Sequence, residues 1–133
     1  PGETTGQALQ RLEKDVLTQD PSIVIVFLGG NDMLQRRPLE ELFGNLETIV
    51  VRIQQSGALV VLVGLKGPVV DQGYGAGYRD LARRRGCLYV PNALGGILTN
   101  VKLKSDQVHP NAQGYRLIAE RIAKVLKPYL VDS

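Results

Sequence analysis

The chain has 133 residues, 44% of them hydrophobic and 22% charged, and a net charge of +3. That is enough for one domain with a core that needs no disulfide staple, and the single cysteine, Cys87, excludes an internal disulfide in any case. With one histidine and one cysteine there is no cluster to hold a metal, so no metal or cofactor is expected.

The charge excess is mild and spread along the chain. Its densest run, Arg83 to Arg85, reads as a solvated helix end, where cations oppose the helix dipole favourably. Nothing aromatic is interleaved with it, which argues against a nucleic-acid partner. No run approaches the ~18 apolar residues of a membrane span. The chain starts with Pro1, so the absence of a targeting segment leaves the compartment open.

In chain order, Leu9, Leu12 and Val16 share one face of a first helix that stops before Asp20-Pro21. Ile23 to Leu28 (IVIVFL) is a nearly continuous apolar, β-branched run, the pattern of a strand covered on both faces in a parallel sheet. Helical spacing then runs from Leu39 through Leu42, Phe43, Leu46, Ile49, Val50 and Ile53, with Pro38 suited to its start and Gly57 to its end. A second buried strand follows, Ala58 to Leu65.

Gly67 to Gly77 reads as a glycine-rich loop. Its GYGAGY does not open a helix directly after a strand, so it is not a phosphate cradle. Tyr78, Leu81 and Ala82 mark a shorter helix that ends at Gly86, and Cys87 to Val90 a third strand. Tyr115, Ile118, Ile122, Val125, Leu126 and Tyr129 mark the last helix, with Pro110 near its start. The alternation predicts an α/β layered domain with right-handed crossovers. The chain opens on a loop and a helix, whereas doubly wound folds open on a central strand.

Two motifs carry chemistry. In DQVHPN, the only histidine, His109, lies three residues after Asp106. A carboxylate there fixes the tautomer of the imidazole and makes it a competent general base. The plain alternative is a loop that caps the last helix. In FLGGND, the first strand runs into Gly29-Gly30-Asn31-Asp32 at its carboxyl end, where ligands gather in open α/β sheets. The Asn31 amide offers a donor to a developing oxyanion; the plain alternative is a tight turn in which Asn31 or Asp32 caps the next helix.

Together the motifs resemble those of the SGNH (GDSL-like) hydrolases, in particular the bacterial lysophospholipase, thioesterase and arylesterase branch. The resemblance implies a three-layer, flavodoxin-like α/β fold and ester or thioester hydrolysis by serine acyl transfer, without a cofactor. It implies His109 as base, Asp106 as its orienter, and Asn31 as oxyanion donor. PGETT resembles the family's second block, with the Gly2 N–H as a further oxyanion donor.

Gly30, Asp32, Met33, Leu34 and Pro68 are expected to line the substrate, an acyl or aryl ester. The loop that follows Asp32 and the loop from Lys66 to Tyr74 supply these apolar residues. A non-catalytic relative of the family, or a flavodoxin-like binding domain, stays open as an alternative.

One block departs from the family. The glycine-aspartate-serine block that carries the nucleophile precedes the second block in the family, and none of Ser22, Ser56, Ser105 or Ser133 lies in a strand-to-helix elbow. Residues 1–133 are therefore expected to be one N-terminally incomplete hydrolase domain without its nucleophile, inactive as it stands. In the family's strand order, which resembles 2-1-3-4-5, Ile23 to Leu28 then becomes an edge. Its apolar character predicts that a missing N-terminal segment or a second copy of the chain covers it.

Overall fold

A computed structural model describes residues 3–66, 72–106 and 109–130. Three parallel strands, β1 (Ile23–Val26), β2 (Leu59–Val63) and β3 (Leu88–Val90), form a sheet in the order β1-β2-β3. Ile23 pairs with Leu59, and Val61 with Leu88. The helices are α1 (Thr5–Asp15), α2 (Gly30–Leu34), α3 (Leu39–Gln55), α4 (Tyr74–Arg85) and α5 (Ala112–Leu126).

Side chains along a strand alternate between the faces of the sheet, and the core divides accordingly. Val26, Val60 and Leu62 pack with Leu12 of α1, with Leu42, Leu46, Ile49 and Ile53 of α3, and with Tyr78 and Leu81 of α4. Val61, Val63 and Val90 pack on the other side with Ala93, Ile97 and Ile118 of α5. The result is the three-layer α/β arrangement expected, with α1, α3 and α4 on one face and α5 on the other.

The helix ends follow local chemistry. Thr4 caps α1 in a capping box with Gln7. Asn111 caps α5 through the Gly114 N–H. Gly57 and Gly86 take left-handed backbone just past α3 and α4. The Arg83–Arg85 run does end α4, and its cations are partnered: Arg84 and Arg85 reach Glu47 of α3 at 2.9 and 2.6 Å.

Two sequence expectations need correction. GYGAGY is helix, because α4 begins at Tyr74 behind Gly73. Glycines depress helix propensity, but Gly77 is where α4 meets α3: a Cβ there would run into the Phe43 ring. The segment after β1 is also helical, as α2, with Gly29 rather than Asn31 or Asp32 at its cap. The strands are shorter than the apolar runs, and only β2 is covered along both faces. β1 lies at the sheet edge, and Ile25 is 46% exposed.

Candidate active site

The Asp106–His109 pair is held by a tight loop between β3 and α5. Lys104 and Pro110 form an isolated antiparallel bridge. The Ser105 N–H donates to the His109 carbonyl at 2.9 Å, and the Asn111 N–H to the Leu103 carbonyl at 2.8 Å. The Asn111 amide adds a bond to the Lys102 carbonyl at 2.8 Å while its oxygen caps α5. Gly114 completes the loop, since a Cβ there would collide with the Leu103 carbonyl.

Within this frame the Asp106 carboxylate lies 3.0 and 2.9 Å from His109 Nδ1 through its two oxygens, and Oδ1 also accepts the His109 backbone N–H at 2.9 Å. An ionised carboxylate only accepts, so Nδ1 is the donor in this contact, and the lone pair of the neutral imidazole falls on Nε2. The side chains of both residues are more than half exposed. The pair is thus oriented by its own loop and open to solvent.

The second group sits on α2, at the carboxyl end of β1. Tyr78 Oη occupies the space a Gly29 Cβ would fill, and Gly29 has φ +118°, so glycine is required there by packing and by backbone together. Gly30 has room, with Leu65 Cδ1 3.9 Å from a notional Cβ. Asn31 is half-buried. Met33 packs against the core, and Leu34 is 61% exposed.

Asp32 is corrected. It is 0% exposed and accepts from the Thr5 backbone N–H at 2.8 Å and from the Thr5 hydroxyl at 2.6 Å. Both carboxylate oxygens are thereby committed to Thr5, in the buried interior rather than on an open surface. Gly2 and Pro68 lie outside the described residues.

The structure thus brings Asp106 and His109 into direct contact and gathers Gly30, Asn31, Met33 and Leu34 on one short helix. The elements that carry the two groups follow β1 and β3, the two strands flanking β2. A groove of about 180 Å³ lies elsewhere, along β1 and α1, lined by Ala8, Leu12, Val24, Ile25 and Phe27 among others. It contains none of the site residues. It is the strip beside the open sheet edge. Sequence reasoning missed Thr5 and Tyr78, which brace α2 from outside. The Thr4–Gln7 capping-box spacing marks where α1 begins, but nothing local announces a partner 27 residues away.

The chain matches, over residues 1–117, a family described as "GDSL-like Lipase/Acylhydrolase family". It is 30% identical to an arylesterase of Vibrio mimicus, across 97% of this chain and 68% of that protein. It spans about two thirds of that relative's length. Among solved structures it is similar to the crystal structure of TesA, with a TM-score of 0.87 and 29% identity over 97% of this chain and 75% of the other. It is also similar to the psychrotrophic esterase EstA from Pseudoalteromonas sp., in a structure inhibited by monoethylphosphonate. There the TM-score is 0.86 and identity 25%, over 98% of this chain and 75% of the other.

Proposed function

The chain belongs to the GDSL-like lipase/acylhydrolase family, and from that premise we propose that it forms most of a serine esterase domain that hydrolyses small acyl or aryl esters. The observation that carries this reading is the grip of the Asp106 carboxylate on His109, through both Nδ1 and the backbone N–H. It leaves Nε2 as a lone-pair base on an exposed rim. A hydroxyl nucleophile placed against Nε2 loses its proton as it attacks the ester carbonyl, and Asp106 stabilises the imidazolium that forms. The same imidazolium then protonates the leaving alkoxide.

Asn31 is the proposed oxyanion donor. Its side-chain amide forms no hydrogen bond with the described residues, so its N–H groups are available. The Gly2 N–H is the proposed second donor, and Pro68 and the apolar Met33–Leu34 pair the acyl side of the cleft. Losing one oxyanion donor typically costs roughly 3 kcal/mol of barrier.

The nucleophile is proposed to come from outside these 133 residues. Ser22 precedes β1, at the opposite end of the strand from α2. Ser56 spends its hydroxyl on the Ile53 carbonyl at 2.6 Å. The Ser105 hydroxyl faces the carbonyls of His109 and Pro110 at 3.3 and 3.4 Å. The uncovered edge of β1 is the proposed seat of a further strand.

Two preparations test this. The complete protein should hydrolyse p-nitrophenyl acetate and take up one equivalent of an activated ethyl phosphonate at a serine. His109→Ala should abolish both. The 133-residue chain alone should take up none. Full activity in His109→Ala would sink the assignment, and a label on any serine of the 133-residue chain would overturn the claim about the nucleophile.

A further inference from the structure

We propose that Asp32 is a positioning residue that acts through Asn31, locking the short helix that carries the oxyanion donor to the N-terminus of α1. The inference rests on the reading of Asn31 given above. Among the described residues the buried polar side chains are Thr4, Thr5 and Asp32, and all three meet at one junction. Thr4 caps α1. Thr5, the first residue of α1, gives both its N–H and its hydroxyl to the two oxygens of Asp32. Asn45 of α3 donates its amide to the same Thr5 hydroxyl at 3.2 Å. Three helices are tied at one point.

A fully buried carboxylate is costly unless its bonds are good. Here two charge-assisted hydrogen bonds and the positive end of the α1 dipole offset that cost. An apolar residue in its place would leave the buried Thr5 N–H and hydroxyl without their acceptor. The carboxylate adds direction. It fixes both the distance and the rotation of α2 against α1. α2 has only five residues and no side-chain cap, so it has little rigidity of its own. Asn31 precedes Asp32 in the chain, so any slip of α2 displaces the Asn31 amide. A misplacement of an ångström at a reacting group can cost about a hundredfold in rate.

Thr5 also lies three residues after Gly2 in the chain. The Asp32–Thr5 contact therefore links the segment that supplies one proposed oxyanion donor to the segment that supplies the other.

The test uses the complete protein and p-nitrophenyl acetate, with kcat, KM and Tm read for Asp32→Asn, Thr5→Val, Asn31→Ala and the double variant Asp32→Asn/Asn31→Ala. In Asp32→Asn one of the two acceptor oxygens becomes an NH2 donor, so a single oxygen is left for the Thr5 N–H and hydroxyl and the junction loses one of its two bonds in their present sense. Its kcat should fall about tenfold to a hundredfold with KM nearly unchanged. The phosphonylation rate should fall in parallel. The double variant should be no slower than Asn31→Ala, because Asp32 acts only through that residue. Thr5→Ser, which keeps both donors, should retain kcat.

If Asp32→Asn does not fold, Thr5→Val, which removes the hydroxyl's bonds to Asp32 and Asn45 but keeps the Thr5 N–H bond, must show the same loss of kcat. A normal kcat with a lowered Tm in the folded variants would overturn the proposal and leave Asp32 a stabilising residue. Losses that multiply in the double variant would also overturn it. An unchanged kcat in Asn31→Ala would instead remove the oxyanion reading, and the proposal with it.

Discussion

The Tyr78 hydroxyl of α4 donates to the Leu28 carbonyl at 2.6 Å, at the point where the chain leaves β1 for α2. The ring is fully buried and meets Phe43 edge-on, at 5.2 Å between centroids. Burial, followed by the nearby Asp32 carboxylate, pushes the phenol well above its ordinary range, so it stays a donor at any working pH. The turn before Asn31 is thus closed from behind by a neutral O–H, just as α2 is held by Asp32.

Removing that hydroxyl should be felt as stability. Tyr78→Phe keeps the ring and its contact with Phe43 but strips the Leu28 carbonyl of this partner. Leu28 is only half-buried, so the loss should be the net worth of one hydrogen bond, about 0.5–1.5 kcal/mol. Chemical denaturation should show a loss in that range with an unchanged m-value. Gly29→Ala should be worse, since the methyl group meets Tyr78 Oη and the backbone stands at φ +118°.

The helix glycines make a paired prediction. On propensity alone any glycine-to-alanine change in a helix gains about 1 kcal/mol. Gly44 lies in α3 with nothing near a notional Cβ, so Gly44→Ala should gain roughly that amount. Gly77→Ala drives a methyl into the Phe43 ring. Overpacking of this kind costs about 1–3 kcal/mol, so packing wins and the variant should be less stable. Opposite shifts in denaturation midpoint would bear this out; a gain at both sites would show that Phe43 moves freely.

These cases show what the sequence holds. The layered fold was legible because Ala58 to Leu65 is continuously apolar and Leu42, Leu46, Ile49 and Ile53 keep helical spacing: local patterns report burial directly. Asp106 and His109 were legible because their contact is local, three residues apart. The role of Asp32 was not. Its position beside Asn31 suggests the cleft, and only the approach of Thr5 from 27 residues away turns it inward. GYGAGY was misread for a similar reason: what calls for glycine at position 77 is Phe43, on another element.

The surface network between α3 and α4 sets a pH dependence. Hydrogen bonds from Arg84 and then Arg85 hold the Glu47 carboxyl below its ordinary value of 4.5. A bond from Arg84 does the same for Asp80. Groups with a depressed folded value stabilise the protein above their unfolded value, and the contribution is lost as pH falls through the folded one. The melting temperature should therefore decline below about pH 4.5, and Glu47→Gln should flatten that decline. The groups are partly exposed, so the effect is small and shrinks in high salt. An equal slope in both proteins would show that the network contributes nothing.

The open side of β1 sets the last expectation. Ile25 and Phe27 are 46% and 37% exposed, and α1 and β1 frame an apolar groove beside them. The strand itself carries neither charge nor proline to blunt pairing, and among the described residues Arg11 of α1 is the one charged side chain that lines the groove. Apolar surface left in water is unfavourable by about 25 cal/mol per Å². On its own, the 133-residue chain should therefore self-associate at micromolar to millimolar concentration, measured by light scattering after size exclusion. Ile25→Lys places a charge on the edge and should reduce association without changing the far-UV circular dichroism. Where the proposed further strand covers this edge, the same substitution should lower Tm, because a lysine there must share the strip with it. A monodisperse 133-residue monomer that the lysine does not alter would show that this edge needs no cover.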